Sequence, residues 1–172
     1  SAAFPFTPTG DRVAGTGGNI IRQFNEGILM GGEGNVLYAS FLINKLQDGG
    51  TAGDNVEFNL GSTTTPTVLR IGVGSPDQFF VNFNGTTQDG DLVEFGETYF
   101  VIAKLVSHAG AVADEVYVSF FGEDDIVPDT EPVAWDISLQ NSSGANIRVA
   151  RMAFGANAVG ALDDRKLNLN SF

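Results

Sequence analysis

Short stretches in which apolar and polar residues alternate at every second position run through most of the chain, separated by clusters of Gly, Asn, Asp and Pro. A period of two places successive side chains on opposite faces, so it predicts antiparallel strands with one face buried and one wetted. Apolar residues at helical spacing are nearly absent. Strands are predicted over Val36–Asn44, Val56–Leu60, Thr67–Val73, Gln78–Asn84, Thr98–Val106, Asp114–Phe121, Val133–Leu139, Asn146–Phe154 and Ala161–Leu169. Within Gln78–Asn84, Phe79, Val81 and Phe83 share one face, and Phe80, Asn82 and Asn84 share the other. Thr98–Val106 and Asp114–Phe121 are predicted to pair across a hairpin whose connection holds His108. Between Gly122 and Pro132 the pattern stops. Pro128 and Pro132 cannot donate to a strand ladder and the acidic side chains resist burial, so this stretch is predicted to be an exposed loop. About nine or ten such strands with aromatics on alternating faces predict an all-β, two-sheet antiparallel sandwich.

Composition narrows this picture. The chain has 172 residues, enough for one domain with a substantial core. It is 42% hydrophobic and only 17% charged, the opposite of a disordered balance. With 21 acidic residues against 9 basic, the formal charge of −12 repels phosphate backbones and anionic lipid, which argues against nucleic acid and membrane surfaces as partners. No apolar run approaches the roughly 18 residues of a membrane span, so no membrane insertion is expected. The absence of cysteine removes disulfides, thiolate metal sites and a cysteine nucleophile, and fits a bacterial exterior better than an animal extracellular module. The opening Ser-Ala-Ala has the small residues found around signal-peptidase sites, which leads to an expected secreted or cell-surface location. Residues 1–18 are expected to form an extended N-terminal arm and residues 19–172 the sandwich domain.

The strands VLYASFLINKL, RIGV, QFFVNF, GETYFVIAKL, DEVYVSFF, NIRVARMAFG and GALDDRKLNLN resemble, in order and wording, the bacterial laminin-G-like, concanavalin A-like jelly-roll domains of secreted proteins. The resemblance extends from about Asn35 to the C-terminus, and is most specific at Gly96–Lys104, Asp114–Phe121 and the closing GALDD. It implies a concanavalin A-like jelly roll, and a structural calcium tied to an acidic residue near the last strand, for which Asp163 is the first candidate and Asp164 the substitute. The chain departs from the family pattern at Arg165 and Lys166, where an apolar residue ordinarily follows the acidic pair.

Glycosidases on this fold carry carboxylates at alternating strand positions, which puts an acid and a nucleophile in one groove. Here Glu94 and Glu97 are three apart, while Glu123, Asp124 and Asp125 are consecutive in a loop. His108 has no G-x-S-x-G elbow to serve. The runs Gly15–Gly18 and Gly31–Gly34 lead into no helix and read as turns. Catalysis is therefore not expected. A pyranose ring stacks on a flat aromatic while amides, carboxylates and Arg meet its hydroxyls. The face of Phe80, Asn82 and Asn84 has that character, and Arg70, Tyr117 and Trp135, the last next to Asp136, are candidates to join it.

These readings lead to a non-catalytic carbohydrate-binding or adhesion module, lectin-like, whose partner is a polysaccharide or other glycan. The alternative is a self-assembling structural subunit of a surface layer, filament or matrix. In that case the proline-bearing arm Ser1–Thr9 would add to further copies of the chain.

Overall fold

A computed structural model describes residues 12–15, 19–30, 34–46, 55–61, 68–140, 147–156 and 160–163. Twelve strands are present among them: β1 (Arg12–Gly15), β2 (Asn19–Met30), β3 (Asn35–Lys45), β4 (Val56–Gly61), β5 (Leu69–Gly74), β6 (Gln78–Phe83), β7 (Thr86–Leu92), β8 (Thr98–Ser107), β9 (Glu115–Phe121), β10 (Ile137–Gln140), β11 (Ile147–Ala156) and β12 (Gly160–Asp163). They form two six-stranded antiparallel sheets. The first has the order β1-β12-β3-β8-β9-β10 and the second β2-β11-β4-β5-β6-β7. The chain crosses repeatedly between the layers, giving the expected all-β jelly-roll sandwich.

Alternation sets which side chains meet in the middle. From β3, Leu37, Ala39, Phe41 and Ile43 point inward, and Val101, Ala103 and Leu105 of β8 with Val116 and Val118 of β9 extend that surface across the first sheet. The second sheet answers with Val56, Phe58 and Leu60 of β4, Leu69, Ile71 and Val73 of β5, and Phe79, Val81 and Phe83 of β6. Phe58 lies between Phe41 of the opposite layer (ring centroids 4.7 Å) and Phe154 of its own (5.4 Å), tying both sheets at one point. Toward the β7 and β10 edges, Phe79 stacks on Phe120 at 3.8 Å and meets Tyr99 edge-on at 4.9 Å.

Two of the expected elements differ in extent. Val133–Leu139 becomes a four-residue strand beginning at Ile137, and Val133 is wholly exposed, because Pro132 and the loop tethers described below hold residues 133–136 off the ladder. Residues 1–18 are not arm throughout, since β1 pairs with β12 inside the first sheet. Three strands have no counterpart in the periodicity. β7 (TTQDGDL) is an edge strand exposed along almost its whole length, so neither face demands apolar residues. β1 and β2 lie among the glycine runs, and the β2–β11 register shifts between Val149 and Arg151. The arm Ser1–Thr9 lies outside the described residues.

A buried cation sits at one end of the core. Lys45 is 2% exposed, and its ammonium donates to Asp77 Oδ1 (2.8 Å) and to the Gly74 carbonyl (3.2 Å). This satisfies a charge that burial alone would penalise heavily.

Core truncation at the Phe58 junction is expected to cost about 3–5 kcal/mol of unfolding free energy for Phe58→Ala, read from the denaturant midpoint at unchanged slope. Gly72→Ala is expected to destabilise as well, because an added Cβ would collide with the Val56 carbonyl oxygen and with Glu57 on the neighbouring strand. A Gly72→Ala midpoint equal to that of the parent chain would show that β4 and β5 are further apart than the structure has them.

Candidate functional site

With the inner faces filled, the outer faces carry the chemistry. On the second sheet, the register aligns Asn59, Arg70, Asn82 and Thr87 in one row, and Glu57, Gly72, Phe80 and Asp89 in the next. Arg70 stacks over the Phe80 ring at 5.3 Å and is held by Glu57, which accepts from Arg70 Nε at 3.0 Å and from its Nη2. Glu57 also accepts from Asn55 (2.7 Å) and Asn59 (3.1 Å), and Asn82 donates to Thr87 at 2.6 Å. Arg70, Phe80 and Asn82 thus share one surface, and most of its polar groups are paired with one another. Asn84 is not on it. With φ of 49° it forms, with Gly85 at 89°, the β6–β7 hairpin turn, where Asn-Gly supplies the left-handed conformations such turns require.

Tyr117 and Trp135 are on the opposite side of the sandwich, so three of the six candidates share one surface, two share the other, and Asn84 is in the turn. On the outer face of the first sheet, Tyr38, Lys104, Tyr117 and Ser138 form one row across β3, β8, β9 and β10. The Lys104 ammonium sits 5.9 Å from the Tyr38 ring centroid and 5.8 Å from that of Tyr117. The β9–β10 loop folds back over this face. Its Glu131 accepts from the Tyr38 hydroxyl (2.5 Å) and from Lys104 (2.6 Å), and Trp135 packs on Tyr117 with centroids 5.8 Å apart. Two further carboxylates fasten the loop's ends. Asp125 Oδ2 accepts the Gly122 N–H and Asp136 Oδ2 accepts the Phe120 N–H, both at 2.8 Å.

Under and beside this loop is a hollow of about 440 Å³, walled by Ser119, Phe121, Ile126, Pro128 and Pro132 and carrying Asp125, Glu131 and Asp136 on its rim. Its size lies within the range of small-ligand clefts. Ile126 and Val133, 88% and 102% exposed, stand at the mouth. Sequence reasoning did not name Tyr38, Lys104 or Glu131 as site residues. Tyr38 and Lys104 occupy outward positions by parity alone, but only the fold shows that Glu131, distant in sequence, reaches both.

Electrostatics bind this assembly together. Hydrogen bonds from Lys104 and Tyr38 hold the Glu131 carboxyl below the usual carboxylate range. Partial burial works against the Lys104 charge, yet the bond to Glu131 wins and raises its pKa. Burial, then the bond to Glu131, raises Tyr38.

The remaining candidates are elsewhere. Glu97 Oε2 accepts the Tyr99 hydroxyl at 2.5 Å, and the Glu94 N–H donates to that same hydroxyl, so both flank one phenol, whose pKa partial burial helps push up to about 12. His108 Nε2 is 3.4 Å from Glu115, which also accepts from Gln140 at 2.8 Å. Asp163 ends β12, with Arg12 and Leu42 as its strand partners, and Asp164 lies outside the described residues. Among the described residues no group of three or more His, Asp or Glu clusters as for a metal ion, and no helix is long and apolar enough to cross a membrane.

The described strands define a two-sheet jelly-roll domain with a loop-covered outer face. No protein-family model matches the chain, and no curated protein matches it. Among solved structures it is similar to the carbohydrate-binding module CBM66 from Bacillus subtilis, with 12% identity over 92% of this chain and 87% of that one and a TM-score of 0.47. It is also similar to the catalytic domain of a glycoside hydrolase family 131 protein from Coprinopsis cinerea, with 12% identity, 81% and 60% coverage and a TM-score of 0.37. A third is Trypanosoma rangeli sialidase in complex with sialic acid, with 16% identity, 91% and 26% coverage and a TM-score of 0.37.

The Glu131 contacts predict a pH-dependent strap. The folded-state carboxyl pKa is depressed, so the stabilisation is complete above the unfolded value and is lost as pH falls through the lower folded value. Tryptophan emission from Trp135, the chain's single tryptophan, is expected to change in that acid window, and Glu131→Gln is expected to flatten the change. An identical acid transition in Glu131→Gln would assign it to other groups.

Proposed function

We propose that the chain is a non-catalytic carbohydrate-binding module of the laminin-G-like, concanavalin A-like kind, acting outside the cell, and that its glycan seats on the outer face of the first sheet. The hollow lined by the β9–β10 loop, with Phe120 and Phe121 in its wall and the Tyr117–Trp135 ring pair on the sheet face that the same loop covers, carries this reading. Apolar walls and aromatic rings suit the C–H faces of a sugar, and the rim carboxylates and the Ser119 and Thr130 hydroxyls suit its O–H groups. The Arg70–Phe80 surface is the weaker seat. A sugar would have to displace a guanidinium already stacked on the ring and locked to Glu57. Calcium at Asp163 and Asp164 remains a structural expectation drawn from the family resemblance and takes no part in this site.

Trp135 allows a direct test. Titration with soluble polysaccharides is expected to shift its emission, and Trp135→Ala is expected to weaken retention in affinity electrophoresis by about tenfold or more, the loss typical of a buried aromatic anchor. Phe80→Ala and Arg70→Ala are expected to leave retention within about twofold, inside the range of non-anchoring contacts. Loss confined to the Phe80 and Arg70 variants would move the site to the other sheet. No retention on any polysaccharide, with or without calcium, would end the reading.

A further inference from the structure

Resting on the glycan-binding reading, we infer that Glu97, with Tyr99 behind it, is a positioning residue of that site: its carboxylate is the stop against which Gly122 sets the angle at which the β9–β10 loop leaves the sheet. Glu97, Tyr99 and Gly122 do not line the hollow, but Phe121 and Asp125, just before and three residues after Gly122, both do. The loop departs one step past the last register pair of β8 and β9, Phe100 with Phe121, which places Gly122 opposite Tyr99. Its first turn is closed twice. The Gly122 N–H donates to Asp125 Oδ2 at 2.8 Å, and the Asp125 N–H donates to the Gly122 carbonyl at 3.2 Å. Gly122 therefore carries the turn, and with it one wall of the hollow.

Only a hydrogen fits at the Gly122 α-carbon. A Cβ added there would lie 2.9 Å from Glu97 Oε1, 3.5 Å from Asp125 Oδ2 and 3.7 Å from Tyr99 Cε1. Gly122 is buried and its φ is outside the left-handed region, so close approach, not backbone conformation, is what requires glycine. The carboxylate is not free to swing away. Glu97 Oε2 accepts the Tyr99 hydroxyl at 2.5 Å, and that hydroxyl accepts the Glu94 N–H at 3.1 Å. The Tyr99 ring meets Phe79 edge-on at 4.9 Å, Phe79 stacks on Phe120 at 3.8 Å, and the Phe120 N–H donates to Asp136 Oδ2 at the far end of the loop. Both ends of the loop thus bear on one aromatic stack at the edge of the core. Walls of a binding site keep their spacing only when the residues behind them are themselves locked, and looseness of about 1 Å is enough to spoil the fit.

A double-mutant cycle over Gly122→Ala and Glu97→Ala tests this. It is read by affinity electrophoresis on a polysaccharide that retains the parent chain and, without ligand, by acrylamide quenching of Trp135, the single tryptophan. Gly122→Ala, pressed against a fixed carboxylate, is expected to weaken retention about tenfold and to raise the quenching. Glu97→Ala removes the stop and is expected to weaken retention as well. Glu97→Gln keeps the size and an acceptor for Tyr99, and is expected to recover most of that loss. In the double variant the new Cβ meets no carboxylate. Its loss is therefore expected to fall short of the product of the two single losses by about threefold or more, the coupling of residues in contact. Losses that simply multiply, or a Gly122→Ala variant with the retention and quenching of the parent chain, overturn the inference and leave the glycan-binding reading standing. If Gly122→Ala does not fold, Tyr99→Phe decides, because it unlocks Glu97 without crowding the turn. It is expected to raise the quenching and weaken retention, and parent values in both overturn the inference. If no polysaccharide retains the parent chain, the glycan-binding reading falls and the quenching decides the inference: equal values in all variants sink it too.

Discussion

Everything outside the core follows from how the inside is closed. Each strand can turn only every second residue toward the core, so two sheets must present their apolar faces to each other, and the fit concentrates at Phe58, where Phe41 from the facing layer and Phe154 from its own meet one ring. Phe79, Phe120 and Tyr99 repeat this nearer the β7 and β10 edges. Once these residues are committed, the outward parity positions are free of any packing duty. The two outer faces then differ in how their polar groups are disposed.

On the second sheet the polar groups satisfy one another within the strands: Glu57 gathers Arg70, Asn55 and Asn59, and Asn82 takes Thr87. Such a network rigidifies a surface and leaves few of its groups available to a ligand. On the first sheet the satisfaction comes from a loop. Glu131 collects Tyr38 and Lys104 from two strands, Asp125 and Asp136 anchor the loop's ends to backbone N–H groups, and the hollow exists because the loop is held across the sheet at those points. Acceptors fixed in this way are preorganised, which is what the proposed glycan seat requires.

The jelly-roll class was legible because the inward residues of β3, β6, β8 and β9 had to alternate, and pairing of β8 with β9 followed from their adjacency across a hairpin. Where a strand carries no burial demand, as in β7, periodicity had nothing to register. The split of the six candidate residues had a different cause. Phe80 and Tyr117 are equally outward by parity, but parity does not say which sheet a strand joins, and the chain crosses between layers after β7 and again after β10. Asn84 shares the parity of Phe80 and Asn82, but at that point the chain has already entered a turn.

The acidic loop shows how far composition alone can mislead. Consecutive carboxylates bounded by prolines read as a solvated excursion, and exposure of Glu123, Asp124 and Asp129 agrees with that. Yet the prolines are also what keep the loop off the ladder, and the carboxylates find fixed donors on the sheet below. Neutralising a few acidic groups at defined points converts a repulsive segment into a strap, because each tether is a charge-assisted bond to a donor that the sheet already holds in place. The remaining carboxylate oxygens keep their charge and now have a fixed direction. The loop's acidity therefore closes one side of the hollow, through carboxylates that accept from donors on the sheet.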